Sequence, residues 1–307
     1  MMISQYCKSI KRKGNVFMKS CSRNLHPIHP IAAEGFGGDK AAFYDSSRPS
    51  YSIETIHKVS NIINDNNKYQ QHLQIVEVAT GTGKFTRSFI KDEKVNSNQN
   101  RYLITEPIEA FISQLNIEHL QSNKWKLDKY ITSSDKLNMI NDNSMNAVIA
   151  AQSFHWMCHV NTLKEFHRVL LPSKPVILVW NSLDVSVDYI RQIEDIINER
   201  YQTIEKGTGE IVPRYRTMLW ENIFSTTEAK LYFQPIQKWS SMQQFKFTQQ
   251  QIMNHVKSIS VISSAPEKEK LSLLAKVQHV LDNHHDTKGK EFLNFQYNID
   301  IAYTLKN

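Results

Sequence analysis

Residues 74–86 read Gln-Ile-Val-Glu-Val-Ala-Thr-Gly-Thr-Gly-Lys-Phe-Thr and form the most informative segment of the chain. An apolar run containing one acid leads into a turn of small residues. The turn is followed by apolar residues at helical spacing, Phe85, Phe89 and Ile90. This pattern predicts a strand, a tight turn and a helix, with backbone N–H groups open to close approach by a ligand.

Two nucleotide-binding motifs fit this turn poorly. A phosphate-binding Walker loop needs a glycine where Val78 stands and Ser or Thr where Phe85 stands. A dinucleotide fingerprint needs a third Gly or Ala where Thr86 stands, which weakens that interpretation but leaves it open.

A third motif fits better: an acid followed by small residues at alternate positions. It consists of Glu77, Ala79, Gly81 and Gly83. This is the pattern of the first motif of class I S-adenosylmethionine-dependent methyltransferases, with Ala79 in place of the usual first glycine.

A second acid follows the next predicted strand, Tyr102 to Thr105. Glu106 lies about 20 residues beyond the glycines, where a βαβ unit places an acid that accepts the ribose hydroxyls of a bound adenosine. Pro107 suits the first turn of a helix that runs to Leu115.

Three further predicted strands continue the alternation with helices. A strand at Tyr130 and Ile131 leads to Asp135, which is placed to bind an adenine amino group. The others are Met145 to Ala151 and Val176 to Trp180. Their buried character predicts an open, mostly parallel sheet with ligands at the carboxyl ends of its strands.

The second half of the chain departs from this alternation. Residues 182–260 are predicted to be a largely helical insertion that sets substrate selectivity, with a strand at Lys230 to Phe233. Strict alternation from Phe295 to Tyr303 predicts a last strand that closes the sheet edge in antiparallel orientation. Asn161 is the expected cap of the helix after the fourth strand.

Charge is concentrated at the N-terminus. Residues 1–33 hold six Lys and Arg and no acid, nearly the whole net charge of +7. We therefore expect a basic tail or transit segment before a single domain at 34–307, and no nucleic-acid-binding surface. The absence of a long apolar run predicts no membrane span. The three cysteines indicate a reducing compartment, cytoplasmic or, from the basic N-terminus, mitochondrial.

A metal site is not expected. His155, Cys158 and His159 have ligand side chains at short spacing, but a zinc site normally combines two separated ligand pairs.

Four further motifs give the chain a family resemblance. It resembles the type 11, UbiE-like class I methyltransferases, and within them the branch of trans-aconitate-type small-molecule methyltransferases. The motifs are Tyr44-Asp-x-x-Arg-Pro-x-Tyr51, Glu106-Pro107, Gln152-x-Phe-His-Trp156 and Arg168-Val-Leu followed by Val179-Trp-Asn181. The resemblance implies an α/β, Rossmann-like sheet of seven mostly parallel strands, helices on both faces, and an antiparallel last strand.

The resemblance also implies S-adenosyl-L-methionine as the cofactor and a role for each matched residue. Glu77, Ala79, Gly81, Thr82 and Gly83 would line its methionine end, Glu106 and Pro107 its ribose, and Ser134 and Asp135 its adenine. Gln152 would lie near the sulfonium, and Tyr44 and Arg48 would form a lid. His155 and Trp156 would face the methyl acceptor.

The implied reaction is methyl transfer to a small molecule. A carboxylate acceptor is already ionised at neutral pH, whereas a phenol or carbon acid needs a base, for which His155 is the nearest candidate. Two alternatives stay open: a catalytically silent methyltransferase-like binding protein and an NAD-dependent oxidoreductase. The motifs leave the methyl acceptor and the oligomeric state open.

Overall fold

The structure, a computed structural model, describes residues 28–36, 40–95 and 99–307. The predicted N-terminal tail therefore lies mostly outside the described residues. Seven strands form one sheet in the order β3-β2-β1-β4-β5-β7-β6. They are β1 Gln74–Val78, β2 Asn100–Thr105, β3 Trp125–Tyr130, β4 Ala147–Ala151, β5 Pro175–Leu183, β6 Gln237–Phe247 and β7 Leu293–Leu305.

The first five strands are parallel to one another, as the sequence predicts. The three central strands are nearly continuous apolar runs because helices cover both of their faces. β4, for example, is buried at every position. Parallel orientation brings the carboxyl ends of β1, β2, β4 and β5 to one edge of the sheet.

The position of the last strand differs from the sequence prediction. β7 is antiparallel, as predicted, but it lies between β5 and β6 and pairs with both. The strand at this edge of the sheet is β6, which the sequence analysis missed. Its polar residues alternate with Trp239, Phe245 and Phe247, a half-buried pattern that predicts an edge strand.

Helices flank both faces of the sheet. Within the described residues they are α1 Pro30–Phe36, α2 Lys40–Ser47, α3 Ile53–Asp65, α4 Lys84–Phe89, α5 Glu109–Ile112, α6 Val160–Val169, α7 Asp188–Thr208, α8 Thr227–Tyr232, α9 Gln249–Lys257, α10 Ser260–Ser263 and α11 Glu267–Asn283. Apolar side chains of α3, α4 and α5 pack on one face, and those of α6 and α8 pack on the other. A further apolar cluster joins α7, α9, α10 and α11 to β7.

Three local predictions have clear outcomes. Ser52 caps α3 as predicted, because its side chain accepts a hydrogen bond from Thr55 N. The predicted strand at Lys230 to Phe233 is wrong: these residues end helix α8, which Thr226 caps. The cap of α6 is the side chain of His159 and not that of Asn161.

None of the described helices combines the length and apolar character needed to cross a membrane.

The turn after β1 generates a first prediction. Gly83 has φ of +82°, and an added Cβ would lie 2.6 Å from Cδ1 of the buried Leu115. We expect Gly83→Ala to lower the free energy of unfolding by about 1–3 kcal/mol beyond the cost of the backbone conformation alone. Urea unfolding measures this.

Gly209→Ala is the matched control, since Gly209 has φ of +74° and nothing lies within 4 Å of its added Cβ. Equal destabilisation by the two substitutions would contradict the clash with Leu115.

Candidate active site

The small-residue turn connects β1 to α4 through three left-handed residues. Ala79, Gly81 and Gly83 have φ of 48°, 62° and 82°. Glycine adopts this region freely, but alanine does so at a cost, so Ala79 is held there by its surroundings. The neighbouring Thr80 N donates to Thr105 O at the end of β2, which fixes the turn against that strand.

Glu106 joins this turn to the end of β2. One of its carboxylate oxygens accepts a hydrogen bond from Gly81 N at 2.8 Å, and the other accepts from Ile108 N at 2.9 Å. Burial raises the pKa of Glu106 to about 7, and the two backbone donors oppose that shift. Each oxygen keeps a lone pair for a further donor, such as a ligand hydroxyl.

Glu77 lies behind the turn and is fully buried. Its Oε2 accepts hydrogen bonds from Thr86 Oγ1 at 2.6 Å and from the Tyr102 hydroxyl at 2.8 Å. Its Oε1 has no hydrogen-bond partner within the described part of the chain. Burial raises the pKa of Glu77 to about 7 despite those two hydrogen bonds.

Asp45 connects α2 to the turn after β1 by hydrogen bonds. Its Oδ1 accepts hydrogen bonds from Thr82 Oγ1 at 2.5 Å and from Arg87 at 2.6 Å, and the Lys84 amine lies at 3.9 Å. The same helix carries Tyr44, whose ring packs against Phe111 at 5.2 Å between centroids. The Tyr-Asp-x-x-Arg-Pro segment therefore lies directly over the turn.

Gln152 follows β4 and is the second strained residue at this edge of the sheet. Its φ is 58°, which is rare for a residue other than glycine. Its side-chain amide donates to Asn181 O at 2.6 Å, so the end of β4 is tied to that of β5. Strained backbone tends to cluster at functional sites.

A cavity of about 280 Å³ opens at the carboxyl ends of these strands. Most of the predicted site residues line it: Tyr44, Arg48, Ala79, Gly81, Thr82, Glu106, Pro107, Ser134, Asp135, Gln152 and Trp156. Glu77, Gly83 and His155 do not line it. The first two support the turn from behind, and the roles predicted for all these residues remain predictions.

His155 is not among the residues that line the cavity. Its Nδ1 accepts a hydrogen bond from Trp180 Nε1 at 3.3 Å, and burial lowers its pKa to about 3. A base with so low a pKa takes up a proton weakly at neutral pH. Trp156 does line the cavity, and its ring contacts that of His29 at 5.3 Å between centroids.

Several lining residues escaped the sequence analysis. Ile28 and His29, just before α1, belong to the predicted tail, yet they line the cavity. His255 comes from α9 and Tyr297 from β7. The alternation along β7 places Tyr297 on a defined face of the strand, but no local pattern marks His29 or His255.

Potential metal ligands are grouped elsewhere. Within the described ranges, three such side chains approach one another at His284, His285 and Asp286, outside the residues that line the cavity. The last two are exposed, and His284 Nε2 is 2.8 Å from the carboxylate of Asp188.

Comparison with known proteins agrees with this architecture, although no family model matches the chain. An uncharacterized methyltransferase of Schizosaccharomyces pombe is 23% identical over 268 residues, which cover 86% of this chain and 93% of the relative. A protein from Anaeromyxobacter dehalogenans that has been proposed to be a type II methyltransferase superposes with a TM-score of 0.55 at 14% identity. This superposition covers 84% of this chain and 97% of that one.

A third similar structure is phosphoethanolamine N-methyltransferase 2 of Haemonchus contortus, bound to phosphomonomethylethanolamine and S-adenosylhomocysteine. The TM-score is 0.50 at 9% identity, with 92% of this chain and 60% of that chain covered. These similarities, with the strand order, show that the chain has the Rossmann-like fold of class I methyltransferases.

The buried acid behind the turn generates a prediction about pH. The folded protein keeps the Glu77 proton up to about pH 7, whereas an ordinary glutamate releases it near pH 4.5. Between these values the unfolded chain binds fewer protons, so rising pH favours unfolding. We expect Glu77→Gln to remove this penalty and raise the free energy of unfolding at pH 8 by about 1–3 kcal/mol, with little change at pH 4.5.

Urea unfolding at the two pH values measures the effect, with the exposed Glu109→Gln as the control. A change of equal size at both pH values would show that packing, and not ionisation, is responsible.

Proposed function

We propose that the protein is an S-adenosylmethionine-dependent methyltransferase that acts on a small molecule, with a carboxylate oxygen as the preferred methyl acceptor. We place it in the type 11 group and in its trans-aconitate-type branch, on the motifs around Tyr44, Glu106 and Gln152. The methyltransferase relatives and the fold support the reaction class.

One observation carries the proposal. Glu106 is buried at the edge of the cavity, and its two oxygens are oriented by the N–H groups of Gly81 and Ile108. A carboxylate fixed at the end of the second strand, beside a glycine turn, is the arrangement that binds the ribose of an adenosine cofactor.

The residues present suit the rest of this cofactor. Ser134 and Asp135 line the cavity and would contact the adenine, and Ala79, Gly81 and Thr82 of the left-handed turn line it and would contact the methionine end. Arg48 is the candidate partner for its carboxylate. The Arg48 Nε is buried without a hydrogen-bond partner, and no acid forms an ion pair with Arg48 among the residues that the structure describes.

The same cavity indicates what kind of nucleophile fits. When bound, S-adenosylmethionine supplies a methyl group already activated by the positively charged sulfur. His155 lies off the wall, burial lowers the pKa of His255, and burial raises the pKa of Tyr297. Burial also lowers the pKa of His29, which lines the cavity. The low basicity of these four groups at neutral pH supports a nucleophile that is ionised on arrival, such as a carboxylate.

The protein would then promote methyl transfer chiefly by positioning the cofactor and the acceptor. The hydrogen bonds of Asp45 to Thr82 and Arg87 hold α2 over the turn, and Trp156 and Ala32 of α1 also line the cavity. Holding two reactants in line and excluding water can lower a barrier by roughly 7–11 kcal/mol at best.

Calorimetric titration with S-adenosylhomocysteine and, separately, NAD tests the proposal. We expect S-adenosylhomocysteine alone to bind, in the micromolar range, and Glu106→Ala to weaken it about 10- to 100-fold, because one or two charge-assisted hydrogen bonds are lost. Glu109→Ala, an exposed acid three residues further on, is the control and should leave binding unchanged.

Binding of NAD alone would favour the oxidoreductase alternative. Binding of neither would favour a silent scaffold.

A further inference from the structure

Tyr297 and His255 form one wall of the cavity. Tyr297 lies on β7 and His255 on α9, and each is 2% exposed. Both line the cavity. The Tyr297 hydroxyl oxygen is 3.1 Å from His255 Nδ1, so the two side chains share a hydrogen bond.

The direction of this hydrogen bond depends on which ring nitrogen of His255 carries the proton. The backbone of Ser47, at the end of α2, interacts with the ring and opposes the fall in its pKa. A backbone group that favours the protonated ring is a carbonyl, which can only accept, so we assign the ring proton to the nitrogen on the Ser47 side. Burial, and then the charge of Arg48, lower the pKa of His255, so the ring is neutral and carries one proton. With the proton assigned in this way, Nδ1 is the acceptor and the Tyr297 hydroxyl donates to it.

This arrangement determines what Tyr297 offers to a ligand. Its proton is engaged by His255, and its oxygen has no other hydrogen bond within the described residues. The free lone pair is a hydrogen-bond acceptor in a nearly dry environment, where a missing partner is costly.

Asn181 provides a second polar group beside it. Asn181 pairs with Ile299, which shares a face of β7 with Tyr297. Its Oδ1 is buried without a partner in the described chain, and Asn181 lines the cavity. Two adjacent strands thus each place on the cavity lining a polar side chain that can accept a further hydrogen bond.

We propose that Tyr297, with its hydroxyl proton held by His255, selects a methyl acceptor that carries a hydroxyl or N–H group. This inference rests on the proposed function and narrows the carboxylate acceptors to hydroxy or amino acids and similar compounds. The ligand's hydroxyl donates to the Tyr297 oxygen, and Asn181 is the adjacent polar contact. Tyr297 is a specificity-determining residue and His255 a positioning residue; no proton leaves the ligand in this step.

The test uses matched carboxylic acids that differ by one hydroxyl: malate and succinate, 3-hydroxybutyrate and butyrate, salicylate and benzoate. Ligand-observed NMR gives the dissociation constant of each acid for the protein saturated with S-adenosylhomocysteine. Methyl transfer from labelled S-adenosylmethionine gives kcat and KM for each acid that is turned over.

We expect at least one hydroxy acid to bind about 10- to 100-fold more tightly than its partner, because the partner leaves the Tyr297 oxygen unsatisfied. Tyr297→Phe should abolish this ratio by weakening the hydroxy acid, through KM more than kcat, and leave its partner unchanged. His255→Phe removes the acceptor that fixes the Tyr297 hydroxyl proton, so the oxygen is no longer held as an acceptor for the ligand, and the ratio should fall. Tyr303→Phe is the matched control: it lies on the same strand, its hydroxyl donates to Gln237, and it does not line the cavity.

S-adenosylhomocysteine binding by each variant is measured first, which confirms that the variant is folded and separates this inference from the proposed function. If the wild-type protein binds S-adenosylhomocysteine but shows no preference within any pair, the inference is overturned and the proposed function stands. A preference that survives Tyr297→Phe overturns it equally. Failure of the wild-type protein to bind S-adenosylhomocysteine overturns both.

Discussion

A single carboxylate connects the segments that follow two neighbouring strands of the sheet, β1 and β2. Glu106 accepts hydrogen bonds from Gly81 N and Ile108 N, one from the turn after β1 and one from the segment after β2. The turn itself contains left-handed residues, including Ala79, that a free peptide would seldom populate. The interaction therefore compensates for a strained backbone and orients the carboxylate at the same time. The position of α2, which carries the cavity-lining Tyr44, depends on the same turn because Thr82 donates a hydrogen bond to Asp45.

The first half of the fold was predictable because each signal was local. From residue 74 onward, an apolar run, a small-residue turn and a helix follow one another directly. Glu106 follows the second strand at the distance from the glycines that is typical of a nucleotide-binding βαβ unit. The carboxyl ends of parallel strands then lie at one edge of the sheet, whatever the length and sequence of the connecting loops. Residues such as Glu106, Asp135 and Gln152 could thus be placed at one edge of the sheet from sequence alone.

The second half was less predictable because its contacts are distant in sequence. A half-buried edge strand with residues such as Ser240, Met242 and Gln244 on its exposed side lacks the apolar run that marks the central strands, so β6 was missed. His255 reaches the cavity because α9 packs against β7, where its ring contacts Phe295 and Tyr297. His29 reaches it because α1 packs against α10. His155 shows the converse: a motif places it next to Trp156, but its side chain turns to the indole N–H of Trp180.

The position of β7 has a consequence for biosynthesis. β7 separates β5 from β6, so until β7 has emerged from the ribosome β5 pairs only with β4 and β6 has no partner strand. During translation of residues 248–292, both strands leave unpaired backbone groups along their edges, and β5 is strongly apolar. Nascent chains stalled in this interval should be more prone to aggregation and chaperone capture than chains that include β7. The polar side chains and lysines of β6 would keep such an intermediate in solution until the missing strand inserts.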